Sequence, residues 1–495
     1  MQRSIEQVSA MVADLVRRLV PEQFDLPPRN GDSWDASSLK DLGIDSLVLV
    51  QLVNETEQAF GIRIADDDLS AETFATFGSV VALVARYGSG EPQPAAAAAA
   101  QPEPSPAAVP PAEERPDPWA AAGPEGALLL CTAKVGMTAD DVTRAVGLLG
   151  AQEPPLDWGV FVDLATRHRV LGLVAHNIDR EHLGPIGPVR RSVLRAAYLY
   201  NLGRAHSWER ERRQLLASFN ADGLTPVARK GMYLAPYVYP DVAMRYMEDT
   251  DIYVTGGDVE GLGRTMRRLG YAQGSYSRDR RTVQDVPRDT ELFWALNVAA
   301  LTPFQRATSD PYIDFFSVDV RRDLMEPASG KSIPAEDFLA RARRVPLAGD
   351  TALVPSDEDV LLDVGVHLFR EATTLSSIRA GKDLCLIRFV DIVQWYRHTR
   401  DTLDPDALVA LAERYDVTAE LYYSLHFTDE LYPGVLAPEL LDRLRPDDLG
   451  YLEEYGRLDG KPATWPVGFR HRVFDRNRLR HVSEQSALPR PQGQW

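Results

Sequence analysis

Cysteine is nearly absent from this 495-residue chain, which has only Cys131 and Cys385. Two cysteines so far apart provide no disulfide framework and no Cys-x-x-Cys metal site, and a reducing compartment is expected. Positive charge is also scarce: 54 Lys and Arg face 72 Asp and Glu, for a formal charge of -18. That balance argues against a surface built to coat nucleic acid, which needs clustered cations to neutralise phosphates. A basic partner or a small ligand fits better. No run approaches the roughly 18 apolar residues of a membrane span. The opening MQRSIEQVSAMVADLVRRLV is amphipathic and carries acidic residues early, unlike a signal peptide. The expectation is a cytoplasmic protein with neither a membrane nor a nucleic-acid partner.

What is present points to several folded units. At roughly 100 to 200 residues per domain, the length suggests about three, and 44% hydrophobic with 25% charged residues is a globular composition. Between Gly88 and Pro118 the run EPQPAAAAAAQPEPSPAAVPPAEERPDP is dense in proline and reads as an extended tether. At ~3.1 Å per residue, some thirty residues would reach roughly 90 Å. Acidity is concentrated before it, with fourteen acidic and seven basic residues in 1–90. The boundaries that follow are a first domain over 1–88, a Pro/Ala-rich linker over 89–118, a helical lead-in over 119–222 and an α/β core over 223–330. A helical region over 331–465 and an Arg-rich tail over 466–495 complete the chain. Six arginines between Arg470 and Arg490, against Asp475 and Glu484, read as a solvated tail.

Ser46 follows Gly43-Ile44-Asp45 and opens an apolar-periodic stretch containing Leu47, Val50, Leu52 and Val53, so its hydroxyl belongs at a helix N-terminus. Free amides and the positive end of the helix dipole favour a phosphate there. A plain helix cap would use a serine in the same way. The surroundings extend the reading. MQRSIEQVSAMVADLV, LGIDSLVLVQLVNETEQAFGIRIADDDL and TFGSVVALVARY together resemble the helices and modification motif of acyl and peptidyl carrier proteins. The resemblance implies an all-α four-helix bundle with 4'-phosphopantetheine covalently attached at Ser46. It also implies a phosphopantetheinyl transferase, an acyl- or aminoacyl-loading enzyme and downstream biosynthetic enzymes as partners. Glu55, Glu57 and Asp66 to Asp68 would suit basic docking patches on such partners, or form an ordinary solvated face.

Further on, MRYMEDTDIYV sets Asp249 and Asp251 two residues apart, which on a strand turns both carboxylates to one face. Crowded carboxylates favour a hard divalent cation, and magnesium binds through one or two of them plus substrate phosphates. The wider stretch RKGMYLAPYVYPDVAMRYMEDTDIYVTGGDVEGLGRTMRRLGY resembles the nucleotidyltransferase family within the DNA polymerase beta-like superfamily. The family's Lys-Gly element falls on Lys230 and Gly231, its arginine on Arg245, and its Leu-Gly-Tyr on Leu269 to Tyr271. The resemblance implies an α+β domain with helical flanks, Mg2+ on Asp249, Asp251 and a third carboxylate, and a nucleoside triphosphate held through Lys230, Gly231 and Arg245. Asp319 in SVDVRRDL is the candidate third carboxylate and the catalytic base, with Asp314 its rival. His367, on an apolar helical stretch, reads as a core histidine.

Two readings of the whole follow. In one, the tethered domain delivers an intermediate of a specialised biosynthetic pathway to a nucleotidyltransferase. In the other, the large domain is a silent scaffold that presents the loaded carrier to partner enzymes. A transferase using nucleotide sugars is a further catalytic variant. The position of Asp319 relative to Asp249 and Asp251 discriminates between catalysis and scaffold.

Overall fold

The computed structural model describes residues 5–20, 37–39, 42, 44, 46–65, 68, 73–89, 122–151, 153 and 155–482. At the front, helices Ile5–Leu19, Ser46–Phe60 and Phe77–Ser89 pack around Val12, Val16, Leu52, Val53 and Phe77. Thr76 and Ser79 cap the last of these reciprocally, each side chain accepting the other's backbone N–H. Of the four helices expected, three are present among the described residues, and those described between Phe60 and Phe77 hold turns but no α-helix. The linker expectation falls, apart from Ser89, on residues outside those described.

The large domain begins with five helices, most of them started by a recognisable local signal. Thr138 and Asp141 form a capping box before Ala139–Gly150, Asp157 caps Trp158–Arg167, and Pro188 opens a 34-residue helix ending at Ala221.

A seven-stranded mixed sheet follows, with strand order Ala272–Gln273, Phe304–Ala307, Phe315–Arg321, Thr250–Tyr253, Val227–Arg229, Asp350–Val354 and Arg343–Leu347. Thr250–Tyr253 is buried at all four positions. It pairs parallel to Phe315–Arg321 and antiparallel to Val227–Arg229, which suits a central strand covered on both faces.

Two boundaries need correction. The hairpin Arg343–Leu347/Asp350–Val354 lies in the stretch expected to be helical, yet it completes the sheet beside Val227–Arg229. Its outer strand contains Pro346, which an edge tolerates because no ladder N–H is needed there. The tail is not a solvated ribbon: Phe469–Phe474 is a helix with Phe469, Val473 and Phe474 in the core. Arg470, Arg472 and Arg478 are buried against Glu430, Glu453 and Asp383. Residues 483–495 lie outside those described.

One helix belongs by chain to the large domain and by packing to the small one. Between strands Ala272–Gln273 and Phe304–Ala307 the chain makes a hairpin, Ser275–Ser277/Thr282–Gln284, and then helix Arg288–Asn297. Leu292, Phe293 and Leu296 of this helix are buried in the same cluster as Leu52, Val53 and Ile64. Burying a leucine side chain is worth about 1.5–3 kcal/mol, so this packing stabilises the join substantially.

Candidate active site

The centre of the sheet positions the acidic residues. Asp251 lies on Thr250–Tyr253 and is in register with Asp319 on the neighbouring parallel strand. Residues paired in register on adjacent strands present their side chains to the same face. Asp249 precedes Asp251 by two and lies just before the strand, and all three residues line one cleft of about 310 Å³. Asp314 precedes the strand Phe315–Arg321 and is exposed, outside the cleft lining. Of the two candidates for third carboxylate, the structure brings only Asp319 to the pair.

Crowding shows in the proton affinities. Asp249 is pushed up to about 7 by burial, then by the charges of Asp251 and Asp319. Asp319 is raised by burial and by Asp251. Burial works against Asp251 too, but Lys230 and then Arg229 hold it below the usual carboxylate range. Lys230 Nζ lies 2.7 Å from Asp251 Oδ1, and Arg229 Nη1 lies 3.8 Å away. Arg229 itself is anchored on Asp363, its Nε donating to Oδ2 at 2.8 Å.

Lys230 reaches the site from a backbone φ of +39° at the junction between strand Val227–Arg229 and helix Lys230–Val238. Such a conformation is costly for a residue with a side chain and is typical of functional sites. Gly231 serves close packing: a Cβ there would come within 2.5 Å of Arg245 Nη1. Arg245 lines the cleft but is committed to Asp391, its Nε and Nη2 donating to the two carboxylate oxygens at 2.9 and 2.8 Å. Gly231 and Arg245 thus form a packing pair at the cleft, and Asp391 accepts Tyr239's hydroxyl hydrogen bond as well.

Other cleft residues were not legible in the sequence. Lys382 sits exposed at the rim without an acidic partner among the described residues, close enough for its charge to act on Asp319. Arg370 and Arg321 line the wall around Glu326. His367, expected in the core, is buried yet also lines the cleft, with Arg370 and Arg388 at 2.8 and 2.6 Å from its two ring nitrogens. Burial, then Lys230 and Arg388, keep it neutral.

The donor set suits a hard cation, because a divalent ion would relieve the repulsion that raises Asp249. The ligand atoms of the three carboxylates do not all come within 4.8 Å of one another, however. Among the described residues, the group whose ligand atoms all lie within 4.8 Å of one another is His471, Asp475 and His481 near the C-terminus. There Arg480 already shares Asp475.

On the carrier, a helix begins at Ser46, while the Ser46 side chain lies outside the described residues. No helix among the described residues is long and apolar enough to cross a membrane. Residues 14–84 match the phosphopantetheine attachment site family, a domain that implies dealings with a phosphopantetheinyl transferase and biosynthetic enzymes. No solved structure matches the chain. Residues 154–433 match the family described as uncharacterised nucleotidyltransferase. That match covers the later helices of the lead-in, the sheet and the three aspartates, more than half of the chain, and the protein therefore belongs to this nucleotidyltransferase family, with a carrier domain at its front.

Proposed function

We propose that the large domain is a magnesium-dependent nucleotidyltransferase acting in a specialised biosynthetic pathway, on an intermediate held by the carrier or on a small molecule. The observation that carries this reading is the in-register pair Asp251 and Asp319, with Asp249 beside it, on the floor of a cleft walled by cations. Asp249 and Asp251 would hold Mg2+, with Asp319 as third ligand. The ion supplies charge stabilisation to a nucleoside triphosphate. An acceptor oxygen or nitrogen bonds to the α-phosphorus, the bond to the β-phosphate oxygen breaks, and pyrophosphate leaves. The acceptor's proton goes to Asp319, whose raised proton affinity suits a base. Lys230 and Lys382 answer charge on the phosphates. On the carrier, Ser46 bears the 4'-phosphopantetheine arm.

The scaffold reading draws its support from Lys230 and Arg245, both engaged by aspartates. Intact mass of the holo protein, incubated with Mg2+ and each nucleoside triphosphate across an acceptor panel, separates the two. A nucleotidyl mass increment with matching pyrophosphate release is expected. Neither appearing with any acceptor would leave the scaffold. The arm has its own check, since Ser46→Ala should never gain the phosphopantetheine mass.

A further inference from the structure

Helix Arg288–Asn297 stands between the two domains and is apolar on more than one side. A helix with that pattern has to be covered on both sides to be stable in water. Leu292, Phe293 and Leu296 enter the carrier's core, and Phe293, Trp294, Asn297 and Val298 line the acidic cleft. Polar contacts close the carrier side. Arg288 Nη2 and Nε donate to Glu57 Oε1 and Oε2 at 2.7 and 3.2 Å. Asn54 Nδ2 donates to Asp289 Oδ1 at 2.9 Å, and Arg63 pairs with Glu291 at 3.2 Å.

We propose that this helix is the platform on which the chain's own carrier docks to present its loaded arm to the cleft, so that the acceptor of nucleotidyl transfer is the carrier-borne group. The proposal rests on the nucleotidyl-transfer reading above. Three observations carry it. The carrier is seated there with apolar burial and complementary charge together. One helix serves as both carrier seat and cleft wall. Finally, the contacts Asn54 with Asp289 and Glu57 with Arg288 run in the order of antiparallel helices. At ~1.5 Å per residue, going back from Asn54 leads to the Ser46 end, while going on from Asp289 by a similar length leads to the cleft-lining Asn297. The arm-borne group is an acyl or aminoacyl thioester with a free hydroxyl, amine or carboxylate. That nucleophile bonds to the α-phosphorus of the triphosphate, pyrophosphate departs, its proton passes to Asp319, and the thioester stays intact.

The test uses the full chain. Cysteines are placed at Asn54→Cys and Asp289→Cys, the native Cys131 and Cys385 being buried. A seated carrier should form the crosslink about tenfold faster than the control pair Asp14→Cys with Asp289→Cys, whereas a carrier sweeping freely on its tether would form both at similar rates. Equal rates overturn the platform. Arg288→Glu, or Arg63→Glu at an exposed position, should bring the faster rate down to the control. The same substitutions should lower, about tenfold, the ratio of nucleotidyl transfer to the carrier-borne acceptor over transfer to that acceptor on free pantetheine. A fast crosslink with this ratio unchanged overturns delivery. Absence of transfer to every acceptor refutes the nucleotidyltransferase reading and with it delivery, while the crosslink rates still decide the seat.

Discussion

The cleft floor and the carrier seam are both rich in charge and use it in opposite ways. On the floor three aspartates share one cleft, and among the described residues only Asp251 is held in ion pairs, with Lys230 and Arg229. At the seam signs alternate: Arg288 lies between Glu57 and Glu291, and Arg63 meets Glu291 again. Alternation fixes register and partner choice. Crowding costs stability, and groups shifted this way cluster at functional sites. Asp249→Asn should therefore do two things at once. Nucleotidyl transfer should fall on the order of 10³-fold, the scale of losing one preorganised electrostatic contact. With chelator present the protein should melt higher, by roughly 2–4 °C for each kcal/mol of repulsion removed. Because the folded state raises this carboxyl to about 7, the gain belongs to pH above that value and fades as pH falls toward ~4. A lower melting temperature in calorimetry would make Asp249 a structural group and break the contrast.

Glu326 sharpens the same contrast within the cleft. It is half-buried, as Asp249 is, but its neighbours are cations. Burial opposes its charge, yet Arg321 and Arg370 hold it down at about 2. Both bond Oε1, at 3.0 and 2.8 Å, and the Ala299 N–H donates to Oε2 at 2.9 Å. Since the folded value lies below the unfolded one, its stabilisation is complete above the ordinary 4.5 and is lost as pH falls toward 2. Glu326→Gln should cost about 3 kcal/mol at neutral pH, the penalty of stranding buried arginines. Urea titrations across pH should also show a flatter acid limb than the parent. An unchanged limb would mean that the two arginines are satisfied elsewhere.

The seam answers to packing as much as to charge. Leu292 is fully buried in the carrier core, and Leu292→Ala should cost about 2 kcal/mol, at the low end for such a deletion because the carrier can settle into the space. Hydrogen exchange should report the loss along Ser46–Phe60 and Arg288–Asn297, leaving strand Thr250–Tyr253 protected. Equal loss in the strand would mean that the seam and the floor form one cooperative unit.

What could be read from the sequence was local. The run GIDSLVLVQL contains its own helix start and apolar face, and Asp249 and Asp251 share a face by spacing alone. Asp319 came from the family resemblance, which implies a third carboxylate on a neighbouring strand. Partners brought together by folding were invisible: Arg245 meets Asp391 146 residues away, and Arg288 meets Glu57 at a separation of 231. The hairpin at 343–354 was missed because arginines and Pro346 blur the alternation of an edge strand. Helix Arg288–Asn297 was missed for a different reason. Its apolar residues serve two surfaces, so they show no single stripe.

Lys382 tests the floor from its rim, with the smallest expected effect. It follows Gly381, whose φ of +70° turns the chain between helices Leu375–Arg379 and Leu386–His398. Being exposed and without an acidic partner among the described residues, it contributes nothing evident to the fold. Its charge nevertheless reaches Asp319. A cation in that position belongs neither to a crowd nor to a pair, and a triphosphate entering the cleft would supply the missing anion. Lys382→Ala should raise the KM for the nucleotide about tenfold, or about 1.4 kcal/mol, the scale of one charge-assisted hydrogen bond. The melting temperature should hold, since surface substitutions usually stay within about 0.5 kcal/mol. Lys382→Arg should recover most of the affinity, because charge and reach are kept. If KM stays put while Asp249→Asn still abolishes transfer, the triphosphate lies along Lys230 and Arg370 instead, deeper in the cleft and farther from the rim.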